Sequence, residues 1–186
     1  MFAGVDKETD VVTCYVRKVW VDGSQSIEVH WGGSGYIEEN LLRRIQYVNF
    51  CNSLFRKSKL IEIGLLDESC PAYQEFDTHI RLSRICRYKQ IKEVLVDYMW
   101  GGEDTISANK YRNDRGFVYV ILHNKKRYKE LAADIYWEFL MQYYRHMQRP
   151  VKMEMLRQEP LLIFMMPLIY YRTIKRYIKR QFSSYR

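Results

Sequence analysis

The beginning of the chain has the alternation of a β-hairpin. β-Branched and aromatic residues fill Val11–Val21, a turn-forming Asp22-Gly23 pair follows, and Ser26–Trp31 alternates between apolar and polar positions again. Two such runs separated by a turn pair are typical of two antiparallel strands. We therefore expect sheet structure to open the chain.

Helix and strand patterns follow one another through the middle of the chain. A short helix is predicted over Leu41–Val48, and it leads into a strand over Phe50–Phe55. Gly64 follows an apolar helical pattern at the place where a left-handed residue would end a helix, so we expect a helix to end there. A second helix is predicted to begin near Gln74, and the run Tyr88–Met99 predicts a further strand. Strands that alternate with helices indicate an α/β fold class.

The later part of the chain is helical in pattern. Apolar side chains recur at helical spacing over Lys126–Met147, which predicts one long amphipathic helix. Pro150 is expected to end this helix, and the polar run Val151–Glu159 is expected to form a connector. The predicted organisation is three segments, at residues 1–124, 125–159 and 160–186.

The last segment differs in kind from the rest. Residues 161–171 are apolar apart from a break at Pro167, and they are too few to cross a bilayer, which takes about twenty residues. Basic residues then recur at helical spacing; they are Arg172, Lys175, Arg176, Lys179 and Arg180. A helix lying on an anionic membrane surface explains this pattern. A basic helix docked on the protein core by its apolar side explains it equally well.

Composition and charge narrow the class of protein. Hydrophobic residues make up 47% of the 186 and charged residues 28%, as in a globular protein. Six of the net eight positive charges belong to residues 172–186, which contain no acid, and no base-reading or stacking module accompanies them, so nucleic acid is not an expected partner. The four cysteines lack the spacing of a metal site, and no signal peptide precedes them. We therefore expect reduced thiols in a cytoplasmic protein.

The helix predicted from Gln74 has two different faces. Asp77 and Arg81 are one turn apart in the favourable acid-first order, and we expect their face to be solvated or salt-bridged. Glu75 projects to the opposite, apolar side from the first helical turn. An acid in that turn commonly does no more than stabilise its own helix. A partly buried carboxylate is also a usual choice for a general base, so both interpretations of Glu75 stay open.

The stretch Asn49–Leu82 contains a more specific order of motifs. In chain order these are Phe55-Arg56, Ile63-Gly64, Leu66-Asp67-Glu68, Gln74-Glu75-Phe76-Asp77 and Ile80-Arg81. This order resembles the second half of a family-2 glycosyltransferase, an inverting nucleotide-sugar enzyme with the GT-A fold. In that family a Phe-Arg strand end, an I-G-x-F-D-E turn and an E-D-x-D-L-W-L-R helix start follow one another.

The resemblance implies roles for the residues of this helix. Glu75 stands where the family usually has its catalytic Asp, and Gln74 stands where it usually has Glu. Glu75 would then take the proton of the acceptor hydroxyl, and Asp77 and Arg81 would hold the helix.

The resemblance also implies acceptor-binding residues, namely Asn49, Tyr73 and Trp100. For Tyr73 and Trp100 the alternative is ordinary packing, because an aromatic side chain beside a turn commonly covers it. The loop that follows the later strand keeps the Ile106-Ser107 of the family but lacks its His.

The nucleotide-binding half of the family, with its D-x-D metal motif, has no counterpart in the sequence. The acids of residues 6–10 follow no apolar strand. The resemblance therefore implies a partial GT-A-like domain of mixed sheet and packed helices over residues 1–124, followed by C-terminal helices. Mg²⁺ or Mn²⁺ is implied for the complete enzyme, but no metal or cofactor site within this chain. We expect the chain by itself to bind no nucleotide-sugar donor and to be inactive.

The function implied is transfer of a sugar from a nucleotide-sugar donor to a glycan or lipid-linked acceptor, in polysaccharide biosynthesis. The setting would be the cytoplasm, at the inner face of the cell membrane. The alternative is a non-catalytic relative that keeps the fold as a membrane-associated or protein-binding module. The Gln74-Glu75 replacements and the missing His favour this alternative slightly.

Overall fold

The computed structural model describes residues 6–29, 32–101, 109–165, 167 and 171. Within these ranges the protein combines one small mixed sheet with seven α-helices and a further helical segment at residues 161–165. The predicted elements at Trp31, at Ile106-Ser107 and over residues 172–186 lie outside the described residues.

The sheet is built around its first strand, β1 (Val11–Trp20). Strand β2 (Gln25–Glu28) pairs antiparallel with the second half of β1, and β3 (Ser53–Phe55) pairs antiparallel with its first half. Strand β4 (Tyr88–Trp100) runs parallel to β1 along its whole length, with register shifts near Cys14 and Tyr15. The predicted hairpin and the predicted later strand are both confirmed.

The helix ending at Gly64 and the helix beginning at Gln74 are also confirmed. Helix α1 spans Glu38–Leu42, α2 spans Lys57–Glu62 and α3 spans Gln74–Ser83. Gly64 has φ +81° and its N–H donates to the carbonyl of Ile61, as expected of a left-handed residue after a helix.

Two short elements before α2 differ from the prediction. Helix α1 covers only the start of the predicted 41–48 helix, because Arg44 adopts a left-handed conformation with φ 54°. The predicted strand over 50–55 begins with a 3-10 helix, Phe50–Asn52. The buried Asn52 side chain explains this turn, since it donates to the carbonyl of Cys14 at 2.9 Å and accepts from the N–H of Asn49 at 3.3 Å.

The part of the chain from Lys110 to Gln158 contains four helices. The prediction of a single long helix over 126–147 is therefore wrong. Helices α4 (Lys110–His123), α5 (Lys125–Leu131), α6 (Ala133–His146) and α7 (Arg149–Gln158) follow in order. Ala132 has φ −150° and ψ 47°, which separates α5 from α6. No helix of the described residues is both long enough and apolar enough to cross a bilayer.

The predicted connector 151–159 is a helix instead. Pro150 lies in the first turn of α7, where its missing N–H costs nothing and its fixed φ suits a helix. Val151 and Met155 then occupy one face of α7, one turn apart, and both are buried.

Two apolar clusters form the core, and α3 contributes to both. The smaller cluster covers the sheet and includes Val11, Ile37, Leu41, Leu82 and Tyr88. The larger cluster joins α3 to the later helices and includes Ile80, Phe117, Tyr128, Leu140 and Met155. Residues on both sides of position 124 therefore share one core.

Candidate functional site

The start of α3 is held in an unusual backbone conformation. Tyr73, the residue before the helix, has φ 63° and ψ 30°. Residues other than glycine seldom adopt this left-handed backbone conformation. Its ring packs edge-on against Phe117, with 5.8 Å between the ring centroids. Packing of Tyr73 on the later helices thus fixes the direction in which α3 leaves the loop.

Two faces of α3 carry different polar groups. Glu75 and His79 are one turn apart on one face, and Asp77 and Arg81 are one turn apart on the other. The first face turns towards the 3-10 helix and the sheet, because the His79 ring lies 5.9 Å from that of Phe50. The second face turns towards α2 and α4.

Glu75 is a half-buried carboxylate in the first turn of α3. No hydrogen bond or ion pair joins it to another residue in the described ranges. Burial raises the pKa of both Tyr73 and Tyr98, and the negative charge of Glu75 adds a smaller contribution to each shift. Glu75 therefore lies within electrostatic range of the end of β4 as well as of its own helix start.

The three predicted acceptor residues differ in position and exposure. Tyr73 precedes the helix and is half-buried, and Asn49 precedes the 3-10 helix and is also half-buried. Trp100 ends β4 with 43% of its surface exposed, close to Tyr98. The Nζ atom of Lys18 lies 3.6 Å from the Trp100 ring centroid, so one face of that ring is already covered.

The predicted pair of Asp77 and Arg81 is present, and of the two predicted alternatives its face is salt-bridged rather than solvated. Arg81 Nε donates to Asp77 Oδ2 at 2.7 Å, and the two side chains are 14% and 1% exposed. Asn124, at the end of α4, donates from Nδ2 to Asp77 Oδ1 at 3.0 Å. Helix α4 covers this face, which explains why the pair is buried.

Arg81 also connects α3 to the end of α2. Its Nη1 atom donates to the carbonyls of Ile63 and Leu65, both at 2.9 Å. Carbonyls at a helix C-terminus lack partners within the helix, so a guanidinium is well placed there. Asp77 and Arg81 therefore hold the Gly64 turn, α3 and α4 together.

Asp67, Asp77 and His123 form a cluster that the sequence did not predict. One ligand-type atom of each lies within 4.8 Å of the others, a spacing that a metal ion could bridge. Every carboxylate oxygen is nevertheless engaged: Asp67 accepts from the Ser69 N–H and the Tyr119 hydroxyl, and Asp77 from Arg81 and Asn124. The hydrogen bond from the Tyr119 hydroxyl is the largest cause that lowers the pKa of Asp67. Internal hydrogen bonds thus account for the cluster.

His79 is a fully buried histidine beneath the Glu75 face. Its Nδ1 atom lies 3.0 Å from the Tyr88 hydroxyl, and Nε2 has no hydrogen-bond partner of good geometry among the described residues. Burial lowers the pKa of His79 to about 3, and the backbone of Asn49 opposes this shift only in part. His79 is therefore a neutral packing residue at physiological pH.

The low pKa of His79 makes stability depend on pH. The unfolded chain takes up a proton below about pH 6.5 and the folded protein does not, so the contribution of His79 is complete above 6.5 and is lost as the pH falls towards 3. Between pH 7.5 and 5.0 we expect the free energy of unfolding to fall by about 2 kcal/mol. Urea titrations at both pH values measure this loss.

A His79→Gln variant should lose most of this pH dependence, whatever its own stability. His146→Gln, which removes an exposed histidine, is the matched control and should keep it. If His79→Gln kept the full slope, the pH dependence would have to come from other groups.

No protein-family model matches the chain, and no curated protein matches it either.

Proposed function

We propose that this chain is the acceptor-binding part of an inverting glycosyltransferase of the family-2 type, with Glu75 as the general base. The observation that carries the proposal is the contrast between two acids of one helix. Asp77 is buried and fully bonded, whereas Glu75 is half-exposed and has no hydrogen-bond partner in the described ranges. A carboxylate without partners is available to accept a proton from a bound hydroxyl.

The surroundings of Glu75 support this role. The N-terminal end of a helix favours a negative charge, and Glu75 lies in the first turn of α3. The packed His79 on the same face and the buried pair of Asp77 and Arg81 on the opposite face hold the helix, so the core fixes the backbone position of Glu75. The position of a base matters, since a shift of about 1 Å can cost on the order of a hundredfold in rate.

The proposed step balances as a direct displacement. The acceptor hydroxyl gives its proton to the Glu75 carboxylate, and its oxygen forms a bond to the anomeric carbon of the donor sugar. The bond from that carbon to the nucleoside diphosphate breaks on the opposite side, so the configuration inverts. Tyr98 and Trp100, whose surface is 43% exposed, offer aromatic surface on which the rings of a glycan acceptor would stack.

The divalent metal that the resemblance implies does not fit the residues described. The cluster of Asp67, Asp77 and His123 has its oxygens engaged, and Arg81 already balances the charge of Asp77. In the proposal the metal and the nucleotide belong to a donor-binding domain, supplied by the same or another polypeptide. The acceptor would be a glycan or a lipid-linked sugar at the cytoplasmic side of the membrane.

The direct test is a transfer assay with a donor-binding domain fused to or co-expressed with this chain. A panel of radiolabelled UDP- and GDP-sugars is offered with glycan and lipid-linked acceptors. We expect transfer from one donor with inversion at the anomeric carbon, measured by NMR of the product. Retention of configuration, or no transfer by any folded combination, would contradict the proposal and favour the non-catalytic alternative.

A further inference from the structure

The helical segment 161–165 presents apolar side chains to solvent. Leu161, Ile163 and Phe164 are all exposed, Phe164 to 76%. Leu162 between them is fully buried in the larger core cluster. Tyr171, the last described residue, is exposed as well. We call Leu161, Ile163, Phe164 and Tyr171 the C-terminal apolar surface.

Leu162 prevents this surface from folding back onto the protein. It occupies the core-facing position of its helical turn, so its neighbours cannot enter the core unless Leu162 leaves it. The hydrogen bond from the Leu162 N–H to the carbonyl of Glu159, at 3.1 Å, holds the start of the segment. Glu159 is itself buried and paired with Lys125. The segment is thus anchored with its apolar side outward.

Positive charge follows the C-terminal apolar surface directly in the sequence. Residues 172–186 contain six basic side chains and no acid. Tyr170 and Tyr171 directly precede these residues in the sequence, and Tyr177 and Tyr185 occur among them. Aromatic residues between an apolar run and a basic run are typical of the boundary between lipid tails and headgroups.

We infer that the C-terminal apolar surface and the basic residues after it bind the surface of an anionic phospholipid bilayer. Leu161, Ile163 and Phe164 enter the acyl boundary, and the basic residues meet the lipid phosphates. Anionic lipid is the partner favoured by charge, because a segment with six basic side chains and no acid complements a negatively charged plane. This inference does not depend on Glu75 or on the transfer reaction.

Sedimentation of the full chain with sucrose-loaded vesicles tests the inference. We expect binding to equimolar phosphatidylcholine and phosphatidylglycerol, little binding to phosphatidylcholine alone, and weaker binding when NaCl is raised from about 0.1 M to about 0.5 M. A Leu161→Ser/Phe164→Ser double variant should bind the anionic vesicles at least about tenfold more weakly. Replacing Arg172, Lys175, Arg176, Lys179 and Arg180 together by Gln should cost at least about a hundredfold.

Tyr36→Ser is the matched control, since Tyr36 is also 76% exposed but belongs to the loop before α1 and not to the C-terminal apolar surface. It should bind vesicles as the unchanged chain does. Leu161, Phe164 and Tyr36 are exposed, so the double variant and Tyr36→Ser should keep the circular dichroism of the unchanged protein. Equal binding to both vesicle types, no binding, or an equal loss in Tyr36→Ser would overturn the inference. The inference would also be overturned if sedimentation velocity without lipid detected a dimer and the double variant disrupted that dimer.

Discussion

A Glu75→Gln variant, assayed together with a donor-binding domain, is expected to transfer sugar at least about a hundredfold more slowly than the unchanged chain. The amide keeps the size and polarity of the side chain but cannot take the proton of the acceptor hydroxyl. Donor binding should be unchanged, because Glu75 belongs to the acceptor side in the proposed reaction. Single-turnover transfer with saturating donor measures the loss without interference from product release.

Two further variants separate proton transfer from other effects of the replacement. Glu75→Asp keeps a carboxylate and should retain more transfer than Glu75→Gln, although its shorter side chain displaces the base by about one bond length. Glu62→Gln removes an exposed carboxylate from α2 and should leave transfer unchanged. Equal rates for Glu75→Asp and Glu75→Gln would mean that Glu75 does not act as the base.

Elements with a strong local signal were predictable from the sequence. The β1–β2 hairpin follows from alternating side chains around Asp22-Gly23, where the Ser24 N–H donates to Asp22 Oδ1 at 2.9 Å. The end of α2 follows from Gly64, which adopts the left-handed conformation that glycine tolerates best. In both cases the interactions that form the element lie within a few residues of one another.

The breaks between the later helices were not predictable, because they interrupt a continuous apolar pattern. Tyr128, Tyr136 and Leu140 keep helical spacing across Ala132, and all three are buried although the helix is interrupted. Pro150 was equally ambiguous, since proline is suited both to the end of one helix and to the first turn of the next. Tertiary packing decides between these alternatives, and the pattern of apolar residues in the sequence does not reveal that packing.

The burial of Asp77 depends on a residue 47 positions away in the sequence. Helical spacing places Asp77 and Arg81 on one face, but only the packing of α4 determines that Asn124 covers them. The Tyr119 and His123 side chains reach Asp67 from the same helix, at 2.5 Å and 3.4 Å. Charged residues on one helix face usually indicate solvent, so no signal in the sequence distinguished this buried network from an exposed pair.

The buried position of Asp77 makes the structure sensitive to its replacement. We expect Asp77→Asn to lower the free energy of unfolding by about 3 kcal/mol, because the change leaves the Arg81 guanidinium in a mostly buried site without its counter-charge. The bonds from Arg81 to the carbonyls of Ile63 and Leu65 remain, so the loss should lie near the lower end of the range for a broken buried pair. An exposed pair of the same kind contributes at most about 1 kcal/mol.

Urea unfolding at pH 7.5 measures this difference, with Asp134→Asn as the matched control. Asp134 also pairs with an arginine, Arg43, but its side chain is 66% exposed, so its replacement should cost less than about 1 kcal/mol. If the two variants lost the same stability, Asp77 would not be a buried anchor of α3.

Transfer by these variants must be compared per folded molecule, because an unstable variant has lower activity even when the chemical step is unchanged. A rate per folded molecule that falls further in Asp77→Asn than in Glu75→Gln would place the base two residues later and remove the alignment on which the proposed reaction depends.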